Sequence, residues 1–266
     1  MTAALPSYRL KIERAKRHIH ELTQAIDAFW SRHPYVVVAQ DNLATGKRHF
    51  KVSIREEIPS DWSSIVGDAV HNARASLDLM MVALVRHCDP NRTSYNHVHF
   101  VIRETKDEFE KALPRNTKGA NPATRKLIEE LKPYKGGDEA FWRLHQLDIL
   151  DKHKALIPVG SAFHAFGITM DPKKSFPDAA WLKDAPATTI FCRPAERQFP
   201  LKDGAHIAST TLNDPSKDNH QFAFEVAFGE GQILDGEPVI PALTQIVQFV
   251  EGVFDVIETG LPSFRN

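Results

Sequence analysis

The chain is poor in cysteine: only Cys88 and Cys192 occur in 266 residues. That excludes a disulfide scaffold and fits a reducing, cytoplasmic setting, with both thiols expected as small buried hydrophobes. Long apolar runs are lacking too. No stretch reaches the roughly 18 consecutive apolar residues of a membrane span. The nearest candidate, Val239 to Ile257, is interrupted by Gln245, Gln248, Glu251 and Asp255. Met1 to Leu5 show no basic start leading into an apolar core, so no secretory leader is expected. The formal charge of −1 gives no global pull toward nucleic acid or an anionic membrane. Nucleic acid stays open as a partner but is unsupported by net charge. There is no Gly-rich phosphate loop, CxxC, HExxH or G-x-S-x-G, and Ser63, Ser64 and Ser76 have no evident base partner, so nucleophilic catalysis has little to stand on.

What is present is ordinary for a globular protein: 42% hydrophobic and 25% charged residues, enough to bury a real core. The exception is histidine, with 13 residues. Charge is also uneven. Residues 1–60 carry ten Lys/Arg against six Asp/Glu, and residues 201–266 three against ten. A basic start and an acidic end can attract each other within one fold or across a dimer, so a homodimer is an open arrangement.

Apolar spacing of three and four predicts an amphipathic helix over 8–30 (Ile12, Ala15, Ile19, Leu22, Ile26, Phe29), with cations crowding its first half against the helix dipole. Strands follow at 35–40 and 47–54. A second helix is expected from the Ser60 N-cap to about His87, apolar nearly all round and therefore buried. Residues 95–103 read as a short strand, 104–113 and 122–131 as short helices, and 139–153 as a helix. From 156 the period becomes two, with strands at 156–166, 187–192, 205–212 and 221–228. A closing helix runs to Gly260. The expectation is one α+β unit: buried helices with an N-terminal hairpin (1–155), a mostly antiparallel sheet (156–235), and a closing C-terminal helix (236–266).

The second helix carries a folding problem. His71, Arg74 and Asp78, with Gly67 one turn earlier, line one side of a buried helix, flanked by Asp68 and Asn72. A buried Arg or Asp costs several kcal/mol unless paired. The helix at 139–153 offers partners: Asp148 and Asp151 share the face of Phe141, Leu144 and Leu147, bordered by His145, Lys152 and His153. A guanidinium bridges carboxylates bidentately, so the two helices are expected to meet, with Arg74 and Asp78 facing Asp148, Asp151 and Lys152. Either the network fixes helix register, or it lines a ligand cleft. His97 and His99 sit on one side of the expected strand, but two histidines do not make a metal site, so no metal is assigned. His18, His20 and His33 read as surface residues.

The run Gly67-Asp68-Ala69-Val70-His71-Asn72-Ala73-Arg74-Ala75-Ser76-Leu77-Asp78 resembles an uncharacterised bacterial protein family. Arg14–Trp30, Leu131–Tyr134 and Leu147–His153 (LDILDKH) match it as well. The resemblance implies a shared fold and highlights His71, Asn72, Arg74, Asp78, Asp151, Lys152 and His153. A fainter likeness is to HEPN ribonucleases, which use Arg-x(4–6)-His on a helix of a dimeric bundle. Arg74 would be that Arg, but Leu79, Met80 and Met81 stand where the histidine belongs. The reading of the sequence is a cytoplasmic ligand-binding or interaction protein of unknown ligand and cofactor, with an Arg/Asp/His cluster between two buried helices. The alternative is a hydrolase or HEPN-like nuclease acting on RNA or a phosphorylated small molecule, with Arg74 stabilising phosphate charge.

Overall fold

The computed structural model describes residues 5–153, 159–170, 188–192, 199–212, 220–229 and 233–265, together with 178–179, 181 and 186. The helices are α1 (Ser7–Ser31), α2 (Trp62–Cys88), α3 (Lys106–Asn116), α4 (Pro122–Glu130), α5 (Glu139–His153), α6 (Val239–Gly260) and the short α7 (Pro262–Arg265). The strands are β1 (Tyr35–Asn42), β2 (Lys47–Ile54), β3 (Val159–Met170), β4 (Thr188–Cys192), β5 (His206–Thr211) and β6 (His220–Phe228). They form two three-stranded antiparallel sheets, β1-β2-β5 and β4-β3-β6. The chain is therefore α+β, with a C-terminal helix. The expected start of β3 at Leu156 and of β4 at Ala187 lies outside the described residues.

The chain forms two compact units, each assembled from separate segments. The helical unit takes residues 1–24, 60–158 and 240–266, and the β-rich unit takes 25–59 and 159–239. The hairpin thus belongs with the later strands, because β2 pairs with β5 in register His49↔Ser209.

In the helical unit, Ile12, Ala15, Leu22, Val66, Ala73, Leu77, Met80, Leu84, Phe141, Leu144, Leu147, Val250 and Val253 are all buried, the stripes that the helical period lays out. By length and composition α6 could cross a membrane. Within this unit its apolar face has partners: Phe254 meets Tyr8 edge-on at 5.0 Å, and Phe249 meets Phe141 at 4.7 Å. The opposed end charges also meet. Arg9 binds Glu258 at 2.7 Å and Lys16 binds Glu251 at 2.6 Å, so the cations that oppose the α1 dipole are answered by carboxylates of α6. The Tyr8 phenol, buried and donating to Glu258, is pushed up to about 12.

The β-rich unit closes on Phe50, Val52, Phe163, Leu201 and Ile207, with Phe166, Phe222 and Phe224 packed against them. Both sheets contribute to this layer, as alternating strands packed face to face must.

Several local expectations change. Ser60 does not cap α2; Asp61 stands at the N-cap without a side-chain cap bond. α3 starts two residues later than expected, after Thr105, whose side chain accepts from Glu108 N, and it continues through Pro114. Cys192 is exposed and Cys88 only half-buried. His18 is buried, whereas His20 and His33 are exposed.

The largest change concerns residues 95–103, which form no strand. His97 adopts a left-handed φ of 67°, and the segment runs through a turn into irregular chain whose Val98, Phe100, Val101 and Ile102 are buried. The backbone groups of Phe100 are satisfied by side chains of α2 instead of by a neighbouring strand.

Candidate functional site

α2 and α5 do pack together, as the unpaired charges on their apolar faces required. The charges sort differently from expectation. Arg74, 5% exposed, donates to Asp78 Oδ1 at 2.6 Å and to the Phe100 carbonyl at 2.9 Å. Asp78 Oδ1 also accepts from Phe100 N at 3.0 Å. The three residues form a closed ring that pins the 98–102 segment to α2. No ion pair from Arg74 to Asp148 or Asp151, and none from Asp78 to Lys152, is present among the described residues. The reason is proximity: Asp78, four residues on, lies one turn away on the same helix, and a peptide carbonyl takes the other guanidinium nitrogen. Arg74 Nε is buried without a partner.

Asp148 finds other partners. It is 4% exposed, lies 3.0 Å from His71 Nδ1, and accepts from Lys152 Nζ at 2.7 Å through its second oxygen. A buried carboxylate needs such partners on both oxygens. Asp151, three residues along α5, lies against Gly67 of α2. A Cβ at residue 67 would stand 2.6 Å from the Asp151 carboxyl carbon, so the bare glycine is what lets this carboxylate lie on the helix. Asn72 donates to the Asp68 carbonyl and accepts from Lys11 Nζ at 3.1 Å. It anchors α1 and takes no part in the rim formed by His71, Asp151 and Lys152. The His153 side chain lies outside the described residues.

Two groups here carry shifted titrations. Burial raises Asp151 above its ordinary 3.8, and the nearby Asp148 and Asp68 carboxylates add to the rise. Burial lowers His145 to about 4, and the Arg74 guanidinium pushes the same way; its Nδ1 is buried without a partner.

These shifts act on stability in opposite directions. A raised folded carboxyl binds protons that the unfolded chain has released, so stability falls as pH climbs above 3.8 toward the folded value. Asp151→Asn is therefore expected to raise the melting temperature at pH 7, read by circular dichroism. A depressed folded imidazole refuses protons that the unfolded chain accepts. Its contribution is fully present above 6.5 and is lost as pH falls toward 4. His145→Gln is expected to narrow the gap between melting temperatures at pH 7 and pH 4.5; an unchanged gap contradicts the burial of that ring.

His97 and His99 belong to other contacts. Arg115 Nη2 lies 3.2 Å from His97 Nδ1, and Asn116 Nδ2 lies 2.8 Å from His99 Nε2 while donating to the His97 carbonyl at 2.9 Å. His99 is lowered by burial. No group of three or more His, Cys, Asp or Glu converges as a metal site among the described residues.

Sequence reasoning missed Lys11, which reaches Asn72 from another helix, and the Phe100 backbone, which no side-chain pattern announces. Asp68, a flank of the cluster in the sequence, helps raise Asp151 through its charge.

No protein-family model, curated protein or solved structure matches the chain.

Proposed function

We propose that the chain is a ligand-binding or interaction protein whose ligand docks on the half-exposed rim of His71, Asp151 and Lys152, over the buried Asp148. The observation that carries this reading is the His71–Asp148 pair. The His71 side chain is 40% exposed and its partner is buried, and no bond to His71 Nε2 is present among the described residues. A buried carboxylate accepting from Nδ1–H fixes the imidazole's tautomer and orientation, leaving Nε2 as an acceptor. That is a pre-oriented contact group, held by packing instead of by the ligand. Asp151 adds a second: a carboxylate with no hydrogen bond among the described residues, kept half-buried at a cost to stability.

The charge of the rim narrows the ligand. Three carboxylates, Asp68, Asp148 and Asp151, stand against His71 and Lys152. A phosphoanion would meet repulsion, whereas an amine or a neutral group rich in N–H donors would not. Fragment titration followed by 15N–1H correlation spectra tests the reading. Hits are expected to perturb His71, Asp148, Asp151 and Lys152, with amine-bearing fragments over-represented. Hits that leave these residues unmoved and cluster on another surface contradict it.

The second reading, a hydrolase, has one observation in its favour. A carboxyl with a raised pKa beside a carboxylate-oriented histidine is an acid–base pair. In that reading Lys152, not Arg74, faces phosphate, because Arg74 is buried and committed to Asp78 and Phe100. Hydrolysis of p-nitrophenyl phosphate or a short RNA that is lost in His71→Ala would favour it over simple binding.

A further inference from the structure

We propose that Trp30, Tyr35 and Phe224 form an aromatic cage in the β-rich unit that takes a quaternary ammonium group. The chain builds the cage from two places. Trp30 lies in the last turn of α1 and Tyr35 opens β1. Between them His33, at a left-handed φ of 53°, and Pro34 turn the chain back. The two rings therefore meet edge-on at 5.2 Å, with their planes 89° apart. Phe222 and Phe224 stand on one face of β6 by strand alternation. Phe224 lies 5.3 Å from Tyr35 at 77°, and 6.2 Å from Trp30 within 21° of parallel. Trp30, His33, Pro34, Tyr35, Phe222 and Phe224 line a cavity of about 290 Å3.

All three rings are only half-buried, so each keeps a surface toward the cavity. Their backs are fixed by packing. Phe29, 0% exposed, meets Trp30 at 5.0 Å and Tyr35 at 6.2 Å, while Tyr35 and Phe224 rest on the core of Phe50 and Phe163. The walls thus stand in place before a ligand arrives. Their chemistry selects the occupant. No Lys, Arg, Asp or Glu lines the cavity among the described residues, and Arg32, which lies over Phe29, is paired with Glu56 at 3.0 Å. Aromatic faces are negative and repel an anion. A small hydrated cation loses more solvation than such rings return. A quaternary ammonium is weakly hydrated and spreads its charge over its methyl groups, which is what an aromatic cage binds. A cation about 4 Å off the plane of the three centroids lies about 5 Å from each, inside the roughly 6 Å reach of the interaction. The cavity falls just below the roughly 300–1,000 Å3 of sites for drug-sized molecules, so it takes a headgroup.

The test follows the indole 15N–1H signals of the full chain during titration with choline, with trimethyllysine amide, and with the neutral isostere of choline in which a tert-butyl group replaces the trimethylammonium. The Trp30 signal is expected to move with either cation while those of Trp62 and Trp142 stay. Binding of either cation supports the cage, and the tighter one names the source of the headgroup. The isostere keeps the shape and loses the charge, so it should bind about tenfold more weakly than choline. Trp30→Leu and Phe224→Leu, each shown to be folded by circular dichroism, should weaken choline binding about tenfold, read from the choline methyl resonance. Trp30→Phe, which keeps an aromatic face, should retain most of it. Equal binding of choline and its isostere marks a plain apolar slot and overturns the proposal, as does a Trp30 signal that neither cation moves.

Discussion

Arg74→Ala is expected to cost the helical unit about 3 kcal/mol, the largest loss among the substitutions considered. Removing one member of a buried ion pair typically costs about 3–5 kcal/mol. The lower end applies because the Asp78 side chain is 39% exposed and recovers some solvation. The loss has three parts. The Phe100 carbonyl loses its donor, Asp78 keeps only the Phe100 amide, and a guanidinium-sized space opens under the 98–102 segment. At about 2–4 °C per kcal/mol for a chain of this size, the melting temperature should fall by roughly 6–12 °C. Arg74→Lys should recover only part of it, since a single ammonium cannot serve both Asp78 and the Phe100 carbonyl from one planar fork. A melting temperature unchanged in Arg74→Ala would show that this ring does not hold the segment.

His71→Ala is expected to behave in the opposite way. Stability should fall by only about 1 kcal/mol, because Lys152 still holds Asp148 Oδ2 and truncating the 40% exposed His71 side chain lets water reach the Oδ1 that loses its partner. Ligand affinity should fall at least about tenfold, as for loss of a well-placed charge-assisted contact. The two variants thus separate the two halves of what reads in the sequence as one cluster. Arg74 and Asp78 hold the fold, and in the proposed function His71 and Asp151 face the ligand. Asp151→Asn completes the contrast, since a residue that lowers stability but contributes to binding follows the usual trade between stability and function. Melting temperature and fragment binding, measured on these three variants, should move independently.

Much of the fold was legible because its signals are periodic. The stripes of α1, α2, α5 and α6 repeat at helical spacing, and Phe222, Phe224, Val226 and Phe228 alternate as a strand must. Residues 95–103 depart from the strand their pattern predicts for a physical reason. Their apolar content is that of a strand, but a strand needs a ladder, and the ladder here is replaced by Arg74 and Asp78 acting on the Phe100 backbone. Side chains of one helix satisfying the main chain of another segment leave no periodic trace. The meeting of α2 and α5 followed from the cost of burying charge, which the sequence does reveal. The pairing inside the interface did not, because Arg74 had a carboxylate one turn away on its own helix as well as two across the gap, and composition does not choose between them. The 13 histidines mark particular places: a dyad at His71, a half-buried ring at His145, and converging rings at His49 and His206.

The central claim is that the His71 rim, not the Arg74 ring, meets the ligand. Its most direct test is an amine-fragment titration of the wild-type chain and His71→Ala, followed by 15N–1H correlation spectra. The expected result is a set of shifts at Asp148, Asp151 and Lys152 in the wild type that vanish in the variant, while the signals of residues 98–102 stay in place in both. Identical shifts in the two proteins would contradict the claim.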